Sequence, residues 1–303
     1  MEMVLSHDKN IALAKQGNRR ELAKLLTIIE SGERLPIKES NESWVLGVTG
    51  PPGVGKSTLI GVMIDEWVRR GEKVAVLAID PSSPKSGGAL LGDRMRMSSA
   101  DNGESVFIRS LATRNHPGGL MPFLDSMINL LSYCGWTKII IETVGSGQSE
   151  IRIVAFANRI MLVDGPDRGD IIQAEKAGII ELADIIVINK SDLPNSDAAA
   201  ISIKKSLEYS NKVNDTIVML TSSINNTGIS ELIEELDNLH VDKDRSILRT
   251  KERLLSAWDY RLLSNPSLND ILLNLESGAI NLCLLYTSPS PRDATLSRMP
   301  SSA

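Results

Sequence analysis

A glycine-rich stretch, Gly50-Pro-Pro-Gly-Val-Gly-Lys-Ser57, lies between an apolar run and a segment with helical spacing. Strand, loop and helix in this order form the arrangement that a phosphate-binding loop requires. Glycines at 50, 53 and 55 let the backbone N–H groups point inward at phosphate oxygens, and the N-terminus of the following helix adds the positive end of its dipole. A chance glycine-rich turn is the alternative. The flanking patterns favour a nucleotide-phosphate site.

Two side chains of this loop have predicted chemical roles. The ammonium of Lys56 can reach the β- and γ-phosphates of a nucleotide, and the hydroxyl of Ser57 is placed to ligate a Mg²⁺ ion that bridges them. The neighbouring backbone completes the nucleotide contacts of the loop. The predicted contact set is Gly50, Gly53, Val54, Gly55, Lys56, Ser57 and Thr58.

Acidic residues follow two of the apolar runs. Asp80 comes directly after Val74–Ile79, and Asp93 lies thirteen residues further on, beyond Gly87-Gly88. Mg²⁺ prefers hard oxygen ligands and keeps several waters, so both carboxylates are candidate direct or water-mediated ligands. For Asp80 the alternative is a turn cap before Pro81.

Glu142 directly follows the run Ile139–Ile141, and Gly145 comes three residues later. In this layout the carboxylate orders the Mg²⁺ shell and the glycine N–H senses the γ-phosphate. A surface charge at a strand end is the weaker alternative. The predicted metal ligands are Ser57, Asp80, Asp93 and Glu142, and the predicted catalytic residues are Lys56, Asp93 and Glu142.

The stretch Asn189-Lys-Ser-Asp192 follows the run Ile185–Ile188 and predicts the base. Guanine presents two donors on one edge, which a carboxylate such as that of Asp192 accepts together, whereas adenine has no such pair. Lys190 can lay its methylene stem on the ring, and Asn189 ties the loop together. Ser222 and Ser223, after the last apolar run, could offer backbone N–H groups to guanine O6. The bound nucleotide is therefore predicted to be GTP or GDP and not ATP.

The polar loop from Asp164 to Lys176 has no forced role in nucleotide binding. It is either a strand–helix connection capped by Asp170 or a switch that reports the nucleotide state to a partner. Arg109 and the turn at residues 116–119 leave the same choice open. Because no residue is an evident general base or arginine finger, we expect slow hydrolysis by the isolated chain.

Short apolar runs alternate with helix-sized segments and indicate a mostly parallel P-loop sheet with helices on both faces, an α/β fold. Ligands of such sheets bind beyond the carboxyl ends of the strands, where the motifs above lie. Helical spacing also predicts two helices between Lys9 and Glu30, broken at Gly17-Asn18, and one or two helices after Asp242. The predicted strands are Trp44–Val48, Val74–Ile79, Val106–Ile108, Ile139–Ile141, Ile160–Val163, Ile185–Ile188 and Ile217–Leu220.

The predicted organisation has four parts: an N-terminal helical segment over 1–40, a P-loop GTPase domain over 41–241, C-terminal helices over 242–282 and a tail over 283–303. From Thr287 to Ala303 eight of seventeen residues are Ser or Pro, and the string resembles read-through of a cloning adaptor. We therefore expect this tail to be non-native. A disordered natural tail is the alternative.

Composition limits the partners. A net charge of −5 argues against a general nucleic-acid binder. No apolar run approaches the roughly 20 residues that cross a bilayer, and the first twenty residues lack a signal-peptide core, so we expect a cytoplasmic protein with no membrane partner. Cys134 and Cys283 match no metal or redox spacing and are expected to be reduced thiols. The three scattered histidines suggest no zinc, iron or nickel site.

The ordered motifs together resemble the methylmalonyl-CoA mutase-associated GTPases, the MeaB/ArgK family, over roughly Gly17 to Ile280. They are Gly50-Pro-Pro-Gly-Val-Gly-Lys-Ser-Thr58, Asp80-Pro-Ser-Ser-Pro84, Leu91-Gly-Asp-Arg-Met-Arg-Met97, Glu142-Thr-Val-Gly-Ser-Gly-Gln-Ser-Glu150, Gly169-Asp with Gln173 and Lys176-Ala-Gly178, and Asn189-Lys-Ser-Asp192.

The resemblance implies a G-protein chaperone that gates the loading of adenosylcobalamin into an acyl-CoA mutase and protects or reactivates that enzyme. It implies that Ser57, Asp80, Asp93 and Glu142 surround Mg²⁺ and that the loop from Gly165 to Lys176 couples to the mutase. It also implies a homodimer through C-terminal helices, which stays open because the family pattern stops near Leu282. A nickel-insertion GTPase and a kinase acting on amino-acid transport proteins are the alternative functions.

Overall fold

The structure is a computed structural model that describes residues 2–33, 35–37, 43–80, 103–112, 123–143, 153–166, 180, 182–209, 216–239, 245–263 and 265–280. Seven strands form one sheet in this part of the chain. They are β1 (Val45–Thr49), β2 (Val74–Asp80), β3 (Val106–Ala112), β4 (Lys138–Thr143), β5 (Arg159–Asp164), β6 (Ile185–Ile188) and β7 (Ile217–Leu220).

The strand order is β3-β2-β4-β1-β5-β6-β7, and all six neighbouring pairs are parallel. The predicted α/β class and all seven predicted strands are confirmed. The main difference is β3, which continues to Ala112 where the apolar run had ended at Ile108. The additional residues follow the register of β2, in which Asp80 pairs with Ala112. The extension was not predicted because its first two residues, Arg109 and Ser110, are polar and the prediction followed apolar residues.

Eight α-helices accompany the sheet in the described residues. They are α1 (Glu2–Lys15), α2 (Arg19–Glu30), α3 (Lys56–Arg69), α4 (Leu124–Tyr133), α5 (Ser196–Tyr209), α6 (Ile229–Asn238), α7 (Arg245–Leu263) and α8 (Leu268–Glu276).

The predicted break between the first two helices lies at Gly17 and Asn18. Gly17 has a φ of +96°, a value that favours glycine. The Asn18 side chain then accepts hydrogen bonds from the N–H groups of Arg20 and Glu21, at 3.1 and 3.2 Å, and so caps α2.

Apolar side chains cover both faces of the sheet. One face packs against α2, α4 and α5, and the other against α3 and α6. Within β1, Val45 belongs to the first layer while Leu46 and Val48 belong to the second. This double burial explains the continuous apolar runs of the central strands. In contrast, all four residues of the edge strand β7 are only half-buried.

Helix α2 covers the other edge strand, β3, and two arginines fasten it there. Arg19 donates to the carbonyl oxygens of Gly103, at 2.9 Å, and of Val106. From β3, Arg109 donates to the carbonyl of Ala23 and to Thr27 Oγ1 on α2, and its ion pair with Glu30 measures 2.6 Å. These contacts support a structural role for Arg109 and not a switch. They also protect an edge strand that would otherwise expose pairing groups.

The amino-terminal end of the sheet carries a cluster of aromatic and charged side chains. Trp44 and Trp67 stack edge to face with ring centroids 5.4 Å apart. The ammonium of Lys138 lies 4.3 Å from the Trp44 ring centroid and 2.5 Å from Asp237 Oδ1 on α6. Burial lowers the pKa of Arg159, whose Nε donates to the Leu236 carbonyl at 3.0 Å. The cluster therefore fixes the end of α6 to the sheet.

The chain divides into two compact units, residues 1–257 and 258–303. In the first unit, Arg253 of α7 donates from Nε to the Ala155 carbonyl at 2.8 Å. The described part of the second unit contains α8, whose Leu272 and Leu273 are exposed. Among the described helices, none has the length and apolar composition needed to span a membrane. The predicted tail over 283–303 lies outside the described residues.

The ion pair between α2 and β3 generates a stability prediction. Replacing Arg109 by Met should lower the free energy of unfolding by about 2–3 kcal/mol, because the half-buried Glu30 carboxylate loses this ion pair. Urea denaturation followed by circular dichroism measures this value.

Two further variants make the test specific. Adding Glu30→Met to Arg109→Met should restore most of the loss, since no charge is then left behind. Arg69→Met removes an exposed ion pair with Glu66 and should change stability by less than about 0.5 kcal/mol. Equal losses for Arg109→Met and Arg69→Met would contradict the assignment.

Candidate functional site

Three predicted motifs follow strands whose carboxyl ends meet at one edge of the sheet. The glycine-rich loop follows β1, Glu142 is the residue before the last of β4, and Asn189 follows β6. Strand β1 lies between β4 and β5, and β6 pairs with β5 on its other side. The parallel register therefore brings phosphate, metal and base candidates from distant parts of the sequence to the same edge.

The glycine-rich loop has the left-handed backbone that its composition predicts. The φ angles of Gly50, Gly53 and Gly55 are +141°, +83° and +90°. A Cβ atom at Gly50 would lie 2.0 Å from the Val163 carbonyl oxygen, and one at Gly55 would lie 2.7 Å from the side-chain nitrogen of Asn189. Side chains are therefore excluded at Gly50 by a backbone contact as well as by φ.

Helix α3 begins at Lys56, immediately after this loop. Its N-cap residue is Gly55, which has no side chain that could accept from the first N–H groups, and a helix start of this kind favours an external oxygen ligand. Lys56 itself is buried, and its Nζ donates to the carbonyls of Gly50 and Pro51 at 2.7 and 2.9 Å. These bonds place a positive charge inside the curve of the loop.

Ser57 and Glu142 are joined across the edge. The Ser57 hydroxyl donates to Glu142 Oε1 at 2.7 Å, and Glu142 is 4% exposed. Glu142 is in register with Val48 of β1 and Ala78 of β2, so its backbone lies between the strands that lead to the glycine-rich loop and to Asp80. A hydroxyl and a carboxylate oxygen in contact are a hard donor set that fits Mg²⁺.

The other predicted metal ligands are only partly located. The backbone of Asp80 ends β2, while its side chain, Asp93 and Gly145 lie outside the described residues. Within the described ranges, no group of three or more His, Cys, Asp or Glu side chains could hold a metal ion.

Asn189 connects two loops of the site. They are the stretch 189–192, here called the base loop, and the glycine-rich loop 50–57, here called the phosphate loop. Its Nδ2 donates to the Val54 carbonyl at 3.0 Å. Its Oδ1 accepts from Thr221 Oγ1 at 3.3 Å and from the backbone and hydroxyl of Ser223 at 3.2 and 2.9 Å. The amide is 2% exposed. One side chain thus holds three segments in fixed positions.

Lys190 and Asp192 are held by contacts that the motif alone does not reveal. Lys190 has a φ of +62°, and its Nζ donates to the Gly53 carbonyl at 2.8 Å, so its stem runs from the base loop to the phosphate loop. The exposed Asp192 carboxylate accepts at Oδ1 from the buried Ser222 hydroxyl at 2.5 Å. The Ser222 hydroxyl therefore orients the carboxylate through Oδ1, while the side chain stays accessible to solvent.

Two further buried polar residues lie at this edge: Thr49 was not predicted, and Asp164 was predicted only as the start of the polar loop. Thr49 is the last residue of β1, and Asp164 is the last residue of β5. Thr49 is fully buried and Asp164 is 2% exposed. The Asp164 carboxylate accepts from the Gly165 N–H at 2.9 Å. The available signal was a polar residue at the end of each apolar run.

The remainder of the proposed switch, residues 167–176, lies outside the described residues.

Comparison with known proteins identifies the family to which this chain belongs. The model of the family described as methylmalonyl Co-A mutase-associated GTPase MeaB matches residues 22–265. A protein from Pyrococcus horikoshii described as a GTPase is 40% identical over 241 residues, which cover 76% of this chain and 76% of that protein. The fused isobutyryl-CoA mutase of Geobacillus kaustophilus is 38% identical over 205 residues, covering 63% of this chain and 18% of that protein.

A solved structure described as an LAO/AO transport system kinase has the same fold. Its TM-score is 0.61 at 22% sequence identity, and the match covers 92% of this chain and 95% of that one. This likeness concerns the fold alone. The family match and the Pyrococcus relative carry the assignment: the chain is a P-loop GTPase and belongs to the methylmalonyl-CoA mutase-associated GTPases, the MeaB family.

Proposed function

We propose that this GTPase is a Mg²⁺-dependent chaperone for an adenosylcobalamin-dependent acyl-CoA mutase of the methylmalonyl-CoA mutase type. In this role it gates loading of the cofactor and protects or reactivates the enzyme. The observation that carries the proposal is the match of residues 22–265 to a family described by its association with that mutase. The fused isobutyryl-CoA mutase of Geobacillus kaustophilus, of which 18% matches this chain, gives further support.

The phosphate loop would hold the nucleotide through backbone groups. The N–H groups from Gly53 to Thr58 would bind phosphate oxygens at the uncapped start of α3. Lys56 would exchange its bonds to the carbonyls of Gly50 and Pro51 for phosphate oxygens. This exchange keeps the ammonium hydrogen-bonded in both states, so its burial is compatible with the absence and the presence of nucleotide.

Ser57 and Glu142 would hold Mg²⁺, with Asp80 and Asp93 as further proposed ligands. When bound, the ion would neutralise charge on the β- and γ-phosphates. The chain itself positions the hydroxyl and the carboxylate by their 2.7 Å contact and excludes bulk water from Glu142 by burial. Lys56, Asp93 and Glu142 remain the proposed catalytic residues. Gly145 is proposed to contact the γ-phosphate.

The base would bind above Lys190 and against Asp192. The Asp192 carboxylate would accept from the two guanine donors, and the Lys190 stem, fixed at both ends, would support the ring. Ser222 and Ser223 complete the proposed base site. Because the Ser223 N–H is shared with Asn189 at 3.2 Å, its bond to guanine O6 would be bifurcated or replaced.

The base assignment predicts the effect of Asp192→Asn. This variant should lose affinity for GTP by at least about tenfold and gain affinity for XTP, because the new amide donates to the C2 oxygen of xanthine. Competition binding with GTP, XTP and ATP measures the preference. Asp197→Asn, an exposed change in the first turn of α5, serves as the control and should leave it unchanged. An unaltered preference in Asp192→Asn would remove Asp192 from the base site.

The metal assignment predicts the effect of Glu142→Gln. Glutamine keeps the size and can still accept from Ser57, but it carries no charge for Mg²⁺. GTP affinity with Mg²⁺ should fall by about tenfold or more, while affinity in EDTA should change little. Titration of GTP binding against Mg²⁺ measures the difference. Glu234→Gln on the exposed face of α6 is the control. An unchanged Mg²⁺ dependence would exclude Glu142 from the metal site.

The partner assignment predicts that GTP turnover responds to the mutase. Slow hydrolysis by the isolated chain should rise by about tenfold or more when a purified adenosylcobalamin-dependent mutase is added. The partner would supply the general base or arginine finger that is not evident in this sequence. ATP turnover should stay negligible. Indifference to the mutase would contradict the chaperone function. Transfer of labelled γ-phosphate to a protein acceptor would instead support the kinase alternative.

A further inference from the structure

Thr49 ends the central strand β1 and directly precedes the phosphate loop. Its neighbours on β1 are apolar residues or glycine, so a hydroxyl at this position is unusual within the strand. The residue is fully buried. In the part of the chain that the structure describes, its Oγ1 has no hydrogen-bond partner.

A hydroxyl buried without a partner costs free energy, and valine has nearly the same shape without that cost. The cost is avoided if a partner enters the site. Because Thr49 directly precedes the phosphate loop, a ligand of that loop is the candidate partner. Thr49 is in register with Leu162 of β5, next to the residue whose carbonyl lies under Gly50.

Other hydroxyl and ammonium donors near Thr49 have acceptors within the chain. On β4, Thr143 directly follows Glu142, the register partner of Val48, and the Thr143 hydroxyl donates to the Val48 carbonyl at 3.4 Å. Gly47, two residues earlier on the same face, packs against Ile153. Lys56 and Ser57 also have partners within the chain. Among these groups, all of them in described residues, the Thr49 hydroxyl is the donor that has no acceptor.

We propose that Thr49 is a nucleotide-positioning residue whose hydroxyl donates to an oxygen acceptor that arrives with the bound nucleotide. The acceptor is a phosphate oxygen or a water held by the phosphates, and the inference rests on the proposed guanine-nucleotide site. Without nucleotide the hydroxyl destabilises the end of β1. With nucleotide it gains a hydrogen bond, so Thr49 makes binding more favourable and aligns the first residue of the loop.

Thr49→Val and Thr49→Ser test this in the full chain. Melting temperature is measured without nucleotide, and dissociation constants are measured for GDP and for a non-hydrolysable GTP analogue. Thr49→Val should melt at the same temperature as the wild type or higher, since it loses no bond. It should bind nucleotide about five- to tenfold more weakly, the size of one hydrogen bond. Thr49→Ser should restore binding to within about twofold.

Thr216→Val provides a matched control. Thr216 is also a buried threonine, it precedes β7 at the opposite end of the sheet, and its hydroxyl donates to the Ala183 carbonyl at 3.2 Å. Thr216→Val should melt at a lower temperature and bind nucleotide like the wild type. The two threonines should thus show opposite patterns.

The two nucleotides identify the acceptor. Weaker binding of the GTP analogue alone assigns it to the third phosphate, and weaker binding of both assigns it to the phosphates that GDP retains. Thr49→Val binding like the wild type, or melting as low as Thr216→Val, would overturn the inference. Wild-type protein that fails to bind guanine nucleotide would instead contradict the proposed function, so the two failures are distinguishable.

Discussion

The hydrogen bonds of the Asn189 amide hold the phosphate loop and the base loop in one arrangement. The amide reaches Val54 on one side and Ser223 on the other, and its nitrogen occupies the space that a Cβ of Gly55 would need. Glycine at this position is therefore required by the base loop as well as by the left-handed backbone. Since Lys190 adds a second bond, to Gly53, contacts within the chain hold the two halves of the site at a fixed distance. Such preorganisation reduces the ordering cost of binding.

Charged side chains at the two ends of the sheet serve different purposes. At the amino-terminal end, Lys138 is paired with Asp237, and Arg159 donates to Leu236, so the charges join α6 to the sheet. At the carboxyl end, Lys56 donates to carbonyls of its own loop, and Ser57 donates to Glu142. The second set can exchange these bonds for a ligand without moving a helix. A nucleotide bound there should therefore stabilise the folded chain by mass action.

The sequence predicted the sheet well because its signals are local. Ile185–Ile188 was predicted with the observed bounds, and the helix break at Asn18 follows from a capping preference that depends on adjacent residues. The contacts that orient the site join residues far apart in the chain. Lys190 and Gly53 are 137 positions apart, and Ser222 and Asp192 are 30 apart. Which of several polar side chains meet depends on strand order, and no local pattern specifies that order.

Strand order also determines where a response to the third phosphate can begin. The segments proposed to sense it, from Gly145 and from Gly165 onward, follow β4 and β5, and these strands flank β1. Thr49 ends β1 between them, and Gly165 is already held by the Asp164 carboxylate at 2.9 Å. The base half of the site, in contrast, is bonded internally through Asn189 and Lys190. Recognition of guanine and response to the γ-phosphate therefore depend on different strands, which lets the base remain bound while the phosphate side changes. The proposed role, in which the GTPase reports its nucleotide state to a mutase, would use this separation.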